Sequence, residues 1–152
     1  MRVGSKGRYA VIALIDVAQN SSQGPVPLAD VAERQKISLS YLEQLFAMLR
    51  RSSLVVSSRG PGGGYRLQRP ANAVSIGEVF RAVEETAAGQ DREWPKTNST
   101  TSGLWTALDD HIRGFLESVM VSDVMAGRVN GLAANDTAHE MANGLSAQAK
   151  LA

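Results

Sequence analysis

The stretch LADVAERQKISLSYLEQLFAMLRR, residues 28–51, decides the fold of this chain. Residues 28–34 have the spacing of a short amphipathic helix, and residues 35–38 form a tight turn. Residues 39–51 repeat leucine and phenylalanine at helical intervals, which predicts a longer helix with one buried stripe. A short helix, a tight turn and a longer helix are typical of a helix-turn-helix. The predicted stripe consists of Leu39, Leu42, Leu45, Phe46 and Leu49.

The segments around this unit complete a winged helix-turn-helix. Residues 9–18 are apolar at nearly every position, which favours a helix buried on most sides. Residues 54–58 and 65–67 have strand character, and the glycine-rich turn between them can reverse a two-stranded ribbon. A phosphate-binding loop is the rival interpretation of these glycines, but no Gly-Lys-Ser/Thr closes the segment and no helix is predicted directly after it, which argues against that interpretation. The fold class we predict is mainly α with a small β wing.

Polar residues at the start of the longer helix are the first candidates for a site. Ser38, Ser40, Tyr41 and Gln44 lie off the apolar stripe. Hydroxyl and amide groups bind phosphates or base edges, and a helix N-terminus donates N–H groups to a phosphate. A capped, solvated helix face is the alternative interpretation. Ser40 with Glu43 matches a capping box, and Ser38 is a competing cap.

A second candidate is Arg59, at the tip of the predicted hairpin. The glycines beside it let the backbone come close to DNA, where the guanidinium can enter a narrow minor groove or bind phosphates. A solvated arginine on a turn is the alternative. The charge distribution favours DNA, because residues 1–70 carry ten basic and four acidic residues, a net charge of +6.

The second half of the chain is acidic, which indicates a separate assembly or sensing unit. Residues 71–152 carry six basic and eleven acidic residues, a net charge of −5. Ser75 and Glu78 form a capping box that opens a helix, and the DNA-binding domain is expected to span residues 1–85. Residues 86–102 are expected to form a loop, residues 103–125 a long dimerisation helix, and residues 126–152 a disordered tail. The helix has an apolar stripe that a second copy would bury: Leu104, Trp105, Leu108, Ile112, Phe115, Leu116 and Val119.

Composition excludes several classes of protein. The 152 residues contain no cysteine, which excludes disulfides, thiolate nucleophiles and cysteine-bound metal centres and fits a cytoplasmic protein. No apolar run approaches the roughly 20 residues that a membrane span needs. We find no Ser/His/Asp grouping and no spaced pair of carboxylates that would indicate an enzyme. His111 has no second histidine, cysteine or clustered acid three or four residues after it, and His139 lies in the predicted tail, so we expect no metal site.

Four motifs stand out in the first half of the chain: SKGRYA at 5–10, GPVPLAD at 24–30, ISLSYLEQL at 37–45 and RGPGGGY at 59–65. Together they resemble the bacterial IscR-type iron–sulfur cluster regulators and their relatives NsrR and RirA. The resemblance covers roughly residues 1–125. It implies a homodimeric transcription factor that binds palindromic double-stranded DNA, with Glu43 discriminating between site types. The DNA contacts it implies are at Ser38, Ser40, Tyr41, Gln44, Arg59 and Gly60.

The chain departs from this family at the cofactor. IscR-type proteins hold a [2Fe–2S] cluster through three cysteines and a histidine before the dimerisation helix. Relatives that use an acid near position 8 are not matched either, because Arg8 stands there. We therefore predict no cofactor and no cluster, whether the ligands were lost naturally or were replaced. The four family ligand positions fall on Ala87, Glu93, Ser99 and Ser102.

Two other functions stay open at the level of sequence. One is a regulatory dimerisation partner that keeps the fold but no longer binds operators. The other is a sensor that binds a different ligand in the loop of residues 86–102, such as a metal held by Asp91, Glu93 and a histidine from elsewhere.

Overall fold

The computed structural model of the chain describes residues 3–84 and 100–129. Within these ranges the chain forms six α-helices and one antiparallel sheet of two strands, in the order predicted for a winged helix-turn-helix. The elements are α1 (Ser5–Asn20), α2 (Leu28–Gln35), α3 (Leu39–Arg51), β1 (Val55–Ser58), β2 (Gly64–Leu67), α4 (Ile76–Glu84), α5 (Ser102–Ser118) and α6 (Val121–Met125).

The core lies between α1, α3 and α4. The apolar run predicted as a helix over 9–18 is confirmed, and the helix extends beyond it at both ends. One face of α1 is fully buried through small and branched residues, which allow the neighbouring helices to approach closely. These residues are Ala10, Ala13, Leu14 and Val17.

The stripe predicted on α3 is confirmed at four of its five positions. Leu42, Leu45, Phe46 and Leu49 are fully buried. The prediction for the fifth residue was wrong, because Leu39 is 42% exposed. Leu39 is the first residue of α3 and lies one turn before the first fully buried residue, so it stands where the core ends. Met48, which is not among the five residues of the predicted stripe, is also buried.

The two strands form the predicted hairpin. They pair from Val55 opposite Leu67 to Ser58 opposite Gly64, so residues 59–63 make the turn. Leu54, which we included in the first strand, precedes β1 and is buried in the core. The hairpin is therefore attached to the domain at its base, and its turn is free to project.

A capping box opens α4, as the sequence predicts. The backbone N–H of Ser75 donates to Glu78 Oε2 at 2.9 Å, and the N–H of Glu78 donates to Ser75 Oγ at 3.2 Å. Arg69 Nη2 binds the other carboxylate oxygen at 2.7 Å. Burial raises the pKa of Glu78, but the hydrogen bonds from Ser75 and Arg69 outweigh it and hold that pKa below its ordinary value of 4.5.

The long helix predicted over residues 103–125 is shorter in the structure. It ends at Ser118, and the chain passes through an extended segment before α6. Here Val119 accepts a backbone hydrogen bond from Ile76 at 2.8 Å, and Val121 donates one to Val74 at 2.9 Å. Because both valines enter the core, the chain leaves the helix to place them. Val119 is therefore a core residue, and its assignment to the exposed stripe was wrong.

Helix α5 is joined to α4 near its C-terminal end. Arg81 forms an ion pair with Glu117. Gly77 fits against the same turn, because a Cβ on it would lie 3.1 Å from the backbone nitrogen of Glu117. Within residues 3–84 and 100–129, no helix is long and apolar enough to cross a membrane.

Candidate nucleic-acid interface

The N-terminal end of α3 is fixed by its cap. Ser38 precedes the helix, and its Oγ accepts a hydrogen bond from the N–H of Tyr41 at 3.3 Å. The expected capping box of Ser40 with Glu43 was wrong, because the helix already starts at Leu39 and Ser38 is the cap. The first turn of α3 thus has a defined position relative to the rest of the domain.

The candidate residues at the N-terminal end of α3 are accessible to solvent. Ser38, Ser40, Glu43 and Gln44 are exposed. Tyr41, which we expected to face solvent, is half-buried. Its ring packs edge-on against Tyr9 of α1, with 5.8 Å between ring centroids and 86° between ring planes. The tyrosine therefore offers part of its ring to the surface, while the four polar residues are open to a partner.

The hairpin turn, which we call the wing tip (residues 59–63), presents Arg59 and Gly60 at the surface. Gly60 has φ +90° and accepts a hydrogen bond from the N–H of Gly63 at 2.9 Å, so the turn uses a conformation that favours glycine. The backbone groups of Val26 and Tyr65 exchange two hydrogen bonds of 2.8 Å at the base of the hairpin. These bonds hold β2 against the segment before α2.

The wing and α3 are linked near the C-terminal end of the helix. Arg50 Nη1 donates to Ser57 Oγ of β1 at 3.4 Å. The ring of Phe46 lies edge-on to Tyr65 of β2, with 4.9 Å between centroids. The hairpin and α3 are thus packed on each other through core and surface contacts. The exposed cations of the hairpin, of α3 and of the turn before α3, which can bind phosphates, are Lys36, Arg50, Arg51, Arg59 and Arg66.

A buried carboxylate holds α2 to α1, and sequence reasoning missed its role. Asp16 is 3% exposed. Its Oδ1 is 2.6 Å from Arg34 Nη2, and its Oδ2 is 3.1 Å from Arg34 Nε and 2.6 Å from Gln35 Nε2. The available signal was an aspartate inside an otherwise apolar helix, which is rarely buried unless it is paired.

The pKa of Asp16 follows from these contacts. Burial raises it, but the hydrogen bonds from Arg34 and Gln35 and the positive charge of Arg34 outweigh burial, so the pKa lies below its ordinary value of 3.8. The same pair raises the pKa of Arg34, chiefly through the hydrogen bond to Asp16. Since Nε and Nη2 of Arg34 both bind the carboxylate of Asp16, this arginine holds α2 to α1.

The residues of this chain do not fit an iron–sulfur cluster. Three of the four family ligand positions, Ala87, Glu93 and Ser99, lie outside the described residues, and Ser102 is the first residue of α5. None of the four positions is a cysteine or a histidine, so the ligands that hold such a cluster in the family are missing. The described ranges contain no group of three histidines or acids placed to bind a metal.

The apolar stripe of α5 lies open to solvent. Its large side chains are between 39% and 60% exposed, while Ile112 and Leu116 are partly covered. A contiguous apolar face of this kind marks an interaction surface. We call it the α5 stripe; its exposed members are Leu104, Trp105, Leu108 and Phe115.

The sequence matches a known family over most of its length. The Rrf2 family, described as an iron-dependent transcriptional regulator, matches residues 3–127. The HTH-type transcriptional regulator IscR of Escherichia coli is 49% identical over 130 residues, which cover 82% of this chain and 80% of that protein. IscR of Cronobacter sakazakii is similar to the same extent, with 49% identity over 130 residues.

Solved structures agree with the sequence comparison. The structure of IscR from T. potens superposes with a TM-score of 0.71 at 36% identity, covering 84% of this chain and 88% of that one. CymR, the global cysteine regulator of B. subtilis, superposes with a TM-score of 0.71 at 29% identity, covering 83% of this chain and 97% of that one. Both share the arrangement of helices and hairpin described above.

Proposed function

Because this chain belongs to the Rrf2 family and is a DNA-binding transcriptional regulator of the IscR type, we propose that it acts as a homodimer on palindromic DNA in the cytoplasm. The observation that carries the proposal is the capped N-terminal end of α3, whose first two turns present Ser38, Ser40, Glu43 and Gln44 to solvent. No cofactor takes part in the proposal, since the chain lacks cysteine.

Helix α3 is the element we propose for the major groove. Its first turn combines backbone N–H groups that have no partner within the helix with serine hydroxyls, which suits a phosphate or a base edge. Gln44 lies one turn further and can pair with adenine through its amide. Tyr41 is held by Tyr9 and offers its exposed edge from a fixed position.

We assign the wing tip to the neighbouring minor groove. Arg59 has no large side chain beside it in the sequence GPGGG that follows, so the backbone can approach the DNA closely. An arginine in a narrow minor groove is attracted by the enhanced negative potential there. Gly60 supports this position through its φ of +90°, which a larger residue adopts only with strain.

Replacing Arg59 tests the assignment of the wing. We expect Arg59→Ala to weaken binding to a selected operator by about 1 to 3 kcal/mol, because one guanidinium contact to DNA is lost. The measurement is a gel-shift or fluorescence-anisotropy titration at several salt concentrations. Arg128→Ala is the matched control, since it removes the same charge from an exposed arginine beyond α6. If the two variants bound the operator with equal affinity, the assignment of the wing tip to the DNA interface would be wrong.

The same titration separates the two main functions. Specific binding by the wild-type homodimer supports the operator-binding regulator. A purified homodimer that binds no duplex specifically would instead support the dimerisation partner that has lost its operators. Ser40, Gln44 and Arg59 are all present and all exposed, so the residues proposed to contact DNA are intact, which favours the regulator.

Glu43 is the residue we propose to discriminate between sites. Its carboxylate is exposed on the same turn as Gln44 and repels phosphates and base acceptors unless a cytosine amino group faces it. We expect Glu43→Ala to reduce the ratio between the affinity for the best site and the affinity for weaker sites by about tenfold, which equals about 1.4 kcal/mol. Selection from a random duplex pool measures this change. Asp30→Ala, which removes an exposed acid from α2, should leave the preference as it is.

A further inference from the structure

Leu39 is an aliphatic residue in a place where the fold does not use it. It is 42% exposed, whereas Leu42, Leu45 and Leu49 on the same helix are fully buried. The structure describes α3 completely, and Leu39 is its one large exposed aliphatic side chain. An isolated exposed leucine needs no explanation on an ordinary surface, but this one lies on the turn that faces the proposed partner.

Backbone hydrogen bonds fix the position of Leu39, which lies between the candidate DNA-contacting residues Ser38 and Ser40. Ser38 caps the helix, and its carbonyl accepts the N–H of Leu42 at 3.1 Å. Before it, Ile37 is buried and donates its N–H to Ala32 at 3.3 Å, which closes the turn after α2. Leu39 therefore begins α3 at a defined backbone position, between Ser38 and Ser40 in the chain, and all three residues are exposed.

The chemistry of the major groove limits what such a side chain can meet. Base edges there present hydrogen-bond donors and acceptors, together with one apolar group, the 5-methyl of thymine. Contact between a leucine and a phosphate is not favourable. Covering a hydrogen-bond acceptor that the leucine cannot satisfy costs free energy. Contact with a thymine methyl instead removes apolar surface from water on both sides.

We propose that Leu39 is a specificity-determining residue that contacts the 5-methyl group of a thymine in each half-site. The inference rests on the proposed function, because it requires α3 in the major groove. It gives the neighbouring polar residues a distinct role, since Ser38 and Ser40 bind hydrogen-bonding groups while Leu39 separates thymine from cytosine and uracil.

The test uses the full chain and the duplex that it selects from a random pool. Each thymine of the half-site is replaced in turn by deoxyuridine, which removes the methyl group and keeps the base pair. We expect one replacement to weaken wild-type binding about fourfold, the value of one buried methyl-sized group. For Leu39→Ala the same replacement should change nothing. Leu39→Met keeps an apolar side chain of similar length and should keep the loss.

The outcomes separate the inference from the function beneath it. Selection of a sequence that tolerates uracil everywhere, or that contains no thymine, would overturn the role of Leu39 alone. An equal loss in wild type and Leu39→Ala would assign the methyl group to another residue and also overturn it. A chain that selects no sequence at all would contradict the proposed function together with the inference. Thermal unfolding of each variant checks that the fold is intact, which we expect because Leu39 lies outside the core.

Discussion

Leu108→Glu combined with Phe115→Glu should convert the proposed dimer into a single chain. Both side chains belong to the α5 stripe, and they are 47% and 42% exposed in one copy. In a two-fold interface each substitution occurs twice, so four carboxylates would enter an apolar surface without partners. Burying unpaired charge costs several kcal/mol, and we expect dimer affinity to fall at least about 100-fold. Analytical ultracentrifugation over a range of concentrations measures the mass.

The double variant should also bind its operator more weakly, because it has lost the dimer. When two half-sites are held by two linked copies, the second contact is effectively intramolecular, and this advantage disappears for a single chain. Thr106→Glu is the matched control, because it adds a carboxylate to an exposed position of α5 away from the stripe. A double variant that still sediments as a dimer would exclude the α5 stripe as the interface. A wild-type chain that stays single would contradict the homodimer itself.

The sequence predicts the helix-turn-helix well because its local signals agree with one another. The apolar intervals in residues 39–51, the glycines of the wing tip and the capping box of Ser75 with Glu78 each specify one conformation locally. The structure contains all of these elements in the predicted order. The candidate residues Ser40 and Gln44 were also accessible to prediction, because a helix that buries one stripe must expose the opposite face.

The features that prediction missed depend on distant parts of the chain. Helix α5 ends at Ser118 although its periodicity continues to Val119, because the backbone around Met120 pairs with Ser75 and draws the chain into the core. Likewise, the boundary between buried and exposed positions on α3 depends on which neighbouring elements cover it, and Leu39 lies outside the core while Met48 lies inside it. Helical periodicity carries no information about either boundary.

Asp16→Ala should destabilise the domain by about 3 kcal/mol, since it removes a buried carboxylate that binds Arg34 and Gln35. Because the side chain of Arg34 is 40% exposed, water can solvate the released guanidinium, which keeps the cost below that of a fully buried pair. Urea unfolding followed by circular dichroism measures the free energy. Glu33→Ala is the matched control, because it removes an exposed acid from the same end of α2 and should cost less than about 0.5 kcal/mol.

The pH dependence gives the same prediction a second, independent measurement. The pKa of Asp16 lies below 3.8 in the folded chain, so the unfolded chain binds the proton more readily. The stabilisation from Asp16 is therefore complete well above pH 3.8 and is lost as the pH falls through the lowered pKa. Asp16→Asn cannot ionise, so its unfolding free energy should fall less steeply below about pH 4 than that of the wild type. Glu78, whose pKa is also lowered, contributes its own slope to both proteins and cancels in the difference. Parallel curves for wild type and Asp16→Asn would show that the carboxylate does not hold α2 in place through its charge.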